Sequence, residues 1–589
     1  MKKVLPAMIA IVLILAIIGI SVGRELVEKY SYSKERANLE EYFSLESEDE
    51  VAVVLHNERI EKSARLWDGV YYFDLDTIHE YLNDRFYADE REGLLLYTLP
   101  DYTVRSAIGT TAYLTEEGTK DAGYIIARYG LSSEGSEEVL YVAADYVKKF
   151  TNFSYQPFTE PNRMQVSVDS QQQLEAGQKK AILKKDTAVR YQGGVKSPIL
   201  TDVKQGEQVL VLEEMENWSK IKTADVFIGY VENKRLEVSS TGAVVVEEDK
   251  TEGETEQGEL VGQEYTSIQR PYQINLAWHV VGGQVGGEVL AEALAGTQGI
   301  NVISPTWFAL TDSEGNFSSL ATEGYVKKAH DMGLEVWALI DNFTNKSQVD
   351  NDELLSHTSR REKLIGNLMN VAAEYDLDGI NVDFEGLAQE VGPHFVQFIR
   401  ELSVECRKQE IVLSVDNYVP TGYTDHYGRR EQGIFADYVI IMGYDEHYNG
   451  SPQAGSVASI GFVEEGIQRT VEEVPSQKVI NALPFYTRIW KTSGAKLSSE
   501  AVGMEVAEQF VKNHNMPLRW DEDTCQNYGE ITEGDTVYQV WLEDEQSIEV
   551  KLNIMKKYNL GGVAAWRLGF EKPVIWEVIG SYLSGEAAS

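Results

Sequence analysis

Asp378 to Glu385 read DGINVDFE, and these eight residues concentrate more chemistry than any other part of the chain. Taken as a strand they alternate, because successive side chains leave a strand on opposite faces. Ile380, Val382 and Phe384 take one face, and Asn381, Asp383 and Glu385 take the other. A helical stretch, Arg361 to Tyr375, precedes them, and similar apolar strands recur through the C-terminal half. That pattern predicts a β/α barrel, whose strands turn one face to the helices and the other to the interior. Two carboxyls and an amide on an interior face are costly to bury unless they are used. They stand at the C-terminal end of the strand, where such barrels place their reactive groups. Asp383 and Glu385 lie about 7 Å apart along the strand. The charge on Asp383, together with burial, predicts a raised pKa for Glu385. That suits a proton donor, so Glu385 is the candidate general acid.

The elements that would position this strand are spaced for an α/β fold with a C-terminal TIM barrel at 265–585. Strand-like runs occur at Ile274 to Val281, Gly299 to Ser304, Glu335 to Ile340, Gly379 to Glu385, Ile411 to Val415, Tyr438 to Gly443, Lys478 to Leu483 and Gly561 to Trp566. These make up the eight strands that such a barrel needs. Helical patterns such as Thr322 to Met332, Gly392 to Gln409 and Val457 to Glu473 lie between them. The interval before the last strand is too long for one crossover, which predicts a small α+β insertion at about 491–548.

The N-terminal half divides by composition. Lys2 and Lys3 precede an uncharged apolar run from Val4 to Gly23, ended by Arg24. About 20 such residues span a bilayer, so residues 1–24 read as a single transmembrane helix or as a signal peptide cleaved after Gly23. Either places the rest of the chain outside the cytoplasm. Residues 25–48 form a charged stalk, and 49–168 an α+β module. Residues 179–238 carry short strands around turns, and 239–264 form an acidic linker poor in aromatics. The net charge of −41 excludes nucleic acid as a partner. Cys406 and Cys525 are the only cysteines, so no disulfide scaffold or zinc site is expected, although a single bridge between them remains open. No cofactor or metal is indicated.

Several strings carry resemblances. ARLWDGVYYFDLDTIHEYLNDRFYAD, within 49–168, resembles the copper amine oxidase N-terminal-like domain, here without a metal-ligand cluster. VRYQGG, KQGEQVLVLEEMENWSKIK and IGYVENKRL, within 179–238, resemble a bacterial SH3-like barrel, with Trp218 and Tyr230 as core or groove aromatics. That resemblance implies possible binding of wall peptide. The C-terminal region resembles glycoside hydrolase family 18, the chitinase and N-acetylglucosaminidase family. Its strand-four motif, Asp-Gly-x-Asp-x-Asp-x-Glu, appears here as Asp378, Gly379, Asn381, Asp383 and Glu385, with one acid replaced by an amide. SPTWFALTD, IMGYDEH, NALPFYTRIW, YQVWLEDEQS and AAWRLG agree in register. The set more closely resembles the bacterial subgroup with SH3-like or LysM modules, which acts on cell-wall or spore glycans.

The resemblance implies a retaining mechanism in which the substrate assists, an exception to the usual pair of carboxylates. The 2-acetamido oxygen attacks the anomeric carbon, Asp383 holds the acetamido nitrogen, Tyr444 bonds its carbonyl, and Glu385 serves as acid and then base. The amide at Asn381 is expected to leave Asp383 more firmly ionised. Asn381, Asp445, Trp566, Tyr486 and Arg488 are the candidate substrate-binding residues, with Trp566 a platform for the sugar. Tyr486 and Arg488 could instead join an ion-pair network with Glu543 and Asp544. Trp278, Trp307 and Trp337 could line outer subsites or fill the core. The implied function is cleavage of β-1,4 bonds at N-acetylglucosamine in peptidoglycan. A chitinase and a non-catalytic wall-glycan binder are the alternatives.

Overall fold

In the computed structural model of the chain, residues 4–132, 137–168, 178–238 and 262–584 are described. The chain forms two compact units. One gathers Tyr87–Arg105, Leu114–Gly118 and Gln263–Ser589, and the other holds the remainder of the N-terminal half.

The C-terminal unit is built on eight parallel strands: β1 (Ile274–His279), β2 (Val302–Leu310), β3 (Glu335–Asp341), β4 (Gly379–Asp383), β5 (Val412–Tyr418), β6 (Tyr438–Met442), β7 (Val479–Pro484) and β8 (Gly562–Trp566). Each pairs with the next in sequence, β7 with β8 across a long excursion, and β8 closes on β1. This is the expected TIM barrel. Crossovers between strands include α1 (Gly287–Ala293), α2 (Glu323–Asp331), α3 (Thr358–Tyr375), α4 (Gly392–Lys408), α5 (Arg429–Phe435), α6 (Ile460–Val471) and α7 (Glu545–Tyr558). On β4, Ile380 and Val382 join the apolar layer beneath the helices, where Leu364, Leu368, Phe395 and Phe398 meet them. The interior face is filled lower down by Trp337, Leu339, Val412 and Ile440.

β4 ends at Asp383, earlier than the alternation predicts. Beyond it the backbone of Glu385 is held by a side chain instead of a ladder. Its N–H donates to Asn342 Oδ1 at 2.8 Å, and its carbonyl accepts from Asn342 Nδ2 at 2.9 Å. The excursion after β7 is a five-stranded antiparallel sheet whose first strand begins at Tyr486, ahead of residue 491, with a helix at Met504–Asn513.

Residues 87–105, expected inside one module of 49–168, belong with the barrel. Asp89 accepts from the backbone N–H and the hydroxyl of Thr358, both at 2.6 Å. The α3 N-cap, His357, offers no side-chain bond of its own, so Asp89 caps the helix from a distant segment.

In the N-terminal unit, strands between residues 179 and 238 form an antiparallel sheet over a core of Leu183, Val189, Val209, Val211 and Ile221. Trp218 and Tyr230 are half-buried and outside that core. Val4–Tyr30 forms one helix that runs on past Arg24. Among the described residues no helix is long and apolar enough to cross a membrane, so the expected transmembrane anchor has no structural support. The side chains of residues 4–7 and 9–11, which would carry it, lie outside the described residues. The expected acidic linker likewise lies outside them up to residue 261.

Candidate active site

Strand register builds the site in layers. In the lower layer Asn381 is fully buried and its amide is fully used. Its Oδ1 accepts from Trp278 Nε1 at 2.9 Å and Ser304 Oγ at 3.2 Å. Its Nδ2 donates to Ser414 Oγ at 3.1 Å and Asp416 Oδ1 at 2.8 Å. An asparagine has two donor hydrogens and two acceptor lone pairs, so Asn381 has nothing left for a substrate. This corrects its assignment as a binding residue: it organises the residues beneath the site.

Above it, Asp383 stands in register with Asp341 of β3. Asp341 is tied down by the N–H groups of Phe343 and Thr344 and by the Thr344 hydroxyl. Asp383 is different: its Oδ1 is buried with no hydrogen-bond partner. Burial raises the pKa of Asp383 well above the usual carboxylate range, and the neighbouring charges of Asp416, Glu385 and Asp341 push the same way. Burial and these three carboxyls therefore bear on the charge state of Asp383 alongside the amide at position 381. A second buried carboxyl, Asp416, stands on the adjacent strand, raised to about 8 by burial, with the Asn381 hydrogen bond opposing and Glu385 adding.

At the mouth, Glu385 is half-buried, and Tyr418 of β5 donates to its Oε2 at 2.6 Å. Burial raises the pKa of Glu385, the Tyr418 bond lowers it, Asp445 and Asp341 raise it and Lys346 lowers it; the net direction is up. A carboxyl lifted in this way keeps its proton nearer neutral pH and can act as a general acid. Tyr444, following β6, is half-buried with its ring 6.1 Å from that of Tyr486. Burial raises its pKa well above the usual phenol value, so its hydroxyl stays a donor. Asp445 is exposed, takes φ 61°, and accepts from the Tyr486 hydroxyl at 2.5 Å. Trp566, at the end of β8, is half-buried and meets Trp278 edge-on at 5.9 Å.

The structure thus gathers Asp383, Glu385, Tyr444, Asp445, Tyr486 and Trp566 at the C-terminal end of the barrel strands. Arg488 is turned elsewhere, with Nε donating to Ser499 Oγ at 2.9 Å within the inserted sheet. The proposed link from Tyr486 and Arg488 to Glu543 and Asp544 is not formed. Glu543 pairs instead with Lys551 at 2.9 Å, and Asp544 caps α7. Trp278, Trp307 and Trp337 are all core residues, at most 1 % exposed. Cys406 and Cys525 are free thiols and form no bridge. Among the described residues no group of three or more His, Cys, Asp or Glu side chains could hold a metal ion.

Residues 300–571 match the profile of Glycosyl hydrolases family 18, and residues 185–237 that of the Bacterial SH3 domain. The barrel is a glycoside hydrolase family 18 domain. Its relatives include a Cortical fragment-lytic enzyme of Bacillus anthracis, 26 % identical over 236 residues, which are 38 % of this chain and 54 % of that protein. An uncharacterized glycosylase, YvbX, of Bacillus subtilis (strain 168) is 26 % identical over 293 residues, 48 % of this chain and 84 % of that one. A solved chitinase from Chromobacterium violaceum covers 53 % of this chain and 99 % of its own at 22 % identity and a TM-score of 0.48. The chain spans about half the length of the cortical fragment-lytic relative.

Two site residues of the family 18 domain escaped the reading of the sequence. Asp416 and Tyr418 lie in VLSVDNY, where Ser414, Asp416 and Tyr418 alternate with Leu413, Val415 and Asn417. Leu413 and Val415 face the helices, so the polar set must face the interior. The same alternation test applied to β4 would have found them.

Proposed function

We propose that the chain is a retaining, substrate-assisted glycosidase that cleaves β-1,4 bonds at N-acetylglucosamine in cell-wall peptidoglycan, acting outside the cytoplasm. The observation that carries this reading is the pairing of a Tyr418-held Glu385 with an Asp383 whose buried Oδ1 has no partner. An unpaired buried oxygen is expensive, and an acetamido N–H would satisfy it.

In the first step Glu385 donates its proton to the leaving oxygen while the substrate's acetamido oxygen attacks the anomeric carbon. The C–O bond to the leaving sugar breaks and an oxazolinium ring closes. Asp383 accepts from the acetamido nitrogen, and the Tyr444 hydroxyl donates to the acetamido oxygen. Glu385, now ionised, takes a proton from water as that water opens the ring, and two inversions give net retention. Trp566 supplies an apolar face for the sugar. Asp445, oriented by Tyr486, offers a carboxylate at the rim.

Peptidoglycan is favoured over chitin because the SH3-type domain suits wall attachment and relatives include a cortical fragment-lytic enzyme. The burial of Trp278, Trp307 and Trp337 also removes three tryptophans on which a long chitin chain could have stacked. The SH3-type domain is proposed to bind wall peptide and so raise the local concentration of the barrel at its polymer.

The test incubates the full chain, wild type and Glu385→Gln, with purified peptidoglycan and with chitin oligomers, and identifies new reducing ends by mass spectrometry. Wall fragments ending in N-acetylglucosamine, absent with the variant, are expected. Release from chitin alone would make the protein a chitinase, and binding of both polymers without cleavage would make the barrel a glycan grip.

A further inference from the structure

Asp416 is a buried carboxyl that the proposed chemistry leaves without a task. In the parallel pairing of β4 with β5, Asn381 stands opposite Ser414 and Val382 opposite Val415. The next level up therefore sets Asp383 beside Asp416 on neighbouring strands, about 4.8 Å apart in the direction of pairing. Both point inward, since Val382 and Val415 face the helices. Asp416 is 2 % exposed and Asp383 6 %. One oxygen of Asp416 is gripped by the Asn381 amide, whereas Asp383 Oδ1 is bonded to nothing.

Two carboxyls side by side in a dry interior cannot both ionise freely. The groups around them do not relieve this. Asp341 on β3 and Glu385 beyond β4 add negative charge, while Tyr444 beyond β6 and Tyr418 on β5 itself are neutral phenols. Lys346 bears on Glu385.

We infer that Asp416 is a positioning residue that holds one proton in common with Asp383, the part a carboxyl at position 381 would otherwise take. The inference rests on the glycosidase reading of the site. When Asp383 accepts the acetamido N–H, the O–H bond at Asp383 breaks and one forms at Asp416, and on product release the proton returns. Nothing enters from outside. The Asn381 amide holds the partner carboxyl in place.

The test uses the full chain as wild type, Asp416→Asn, and the exchange Asn381→Asp/Asp416→Asn. The exchange returns a carboxyl to the pair on the other side of the same hydrogen bond. Trp278 and Ser304 can still donate to position 381. Two readouts are taken: the carboxylic-acid C=O band in pH-difference infrared spectra, and kcat and KM against pH on a 4-nitrophenyl chitobioside. For Asp416→Asn the band's midpoint and the basic limb of kcat should fall by about one pH unit. kcat should drop about 10- to 100-fold, with KM nearly unchanged. The exchange should restore all three. A purely structural Asp416 would lower the melting temperature of Asp416→Asn but leave band and profile unmoved, and that result overturns the inference, as does an exchange variant that recovers nothing. If the wild type cleaves no substrate, the glycosidase reading fails. The infrared midpoint then still decides the shared proton, which an unmoved midpoint in Asp416→Asn refutes.

Discussion

Deleting one oxygen atom at Tyr418 should extend the enzyme's activity to higher pH. The Tyr418 hydroxyl donates to Glu385 Oε2 at 2.6 Å, the short distance of a charge-assisted bond. Such a bond stabilises the ionised carboxylate and so holds the pKa of Glu385 below the level that burial alone would set. In Tyr418→Phe that restraint is gone and the pKa rises. A hydrogen bond to a charged group contributes about 1.5–3 kcal/mol, and one pH unit corresponds to about 1.36 kcal/mol. The full effect would be about 1–2 units. Glu385 is half-buried, so water replaces part of the lost donor, and the lower end, about one unit, is expected. Glu385 must carry its proton in the free enzyme for the first step, so its titration sets the basic limb of kcat/KM. The assay is initial rates on the 4-nitrophenyl chitobioside across the pH range for wild type and Tyr418→Phe. The basic limb should move upward by about one unit while the melting temperature changes little. A limb that stays in place, or moves down, would show that Glu385 is not the titrating acid or that Tyr418 does not hold its charged form.

Two further predictions concern the frame around the site. Asp89→Ala removes the cap of α3 and should cost about 1–2 kcal/mol in urea unfolding of the full chain. Asp89→Asn, which keeps an acceptor, should cost less. Lys551→Met strands the fully buried Glu543 carboxylate among Gln526 and Ser547 and should cost about 3–5 kcal/mol near neutral pH. Burial already raises the pKa of Glu543 against the pull of Lys551. Without the lysine the carboxyl rises further and takes up a proton as pH falls, so the penalty should shrink in mild acid. An undiminished penalty there would mean that lost packing, not stranded charge, is the cause.

Local periodicity made much of the site legible. Side chains alternate along any strand, so Asp383 could be assigned to the interior of a barrel strand and Glu385 to the same side just beyond it from DGINVDFE alone, and IMGYDEH and AAWRLG placed Tyr444 and Trp566 at strand ends. The eight-strand rhythm with helices between fixed the fold class for the same reason. Asn381 shows where this reading stops. Its type and face were evident, but its four hydrogen bonds run to strands β1, β2 and β5, and only inter-strand register says that they leave it nothing for a substrate.

Asp416, the carboxyl beside Asp383, was missed because it is 33 residues away in sequence and adjacent only through the pairing of β4 with β5. Arg488, read as a cleft residue, found Ser499 on the partner strand of its own hairpin. Asp89 caps a helix 269 residues downstream, which no pattern in either segment announces. What the sequence by itself determined is therefore what backbone geometry repeats locally: the strands, their faces and the place of the candidate acid at the end of one of them. Which buried charges share a layer, and so which of them keep a proton, was decided by the tertiary structure. Electrostatic coupling in a low-dielectric interior depends on separation in space, and chain order does not encode that separation.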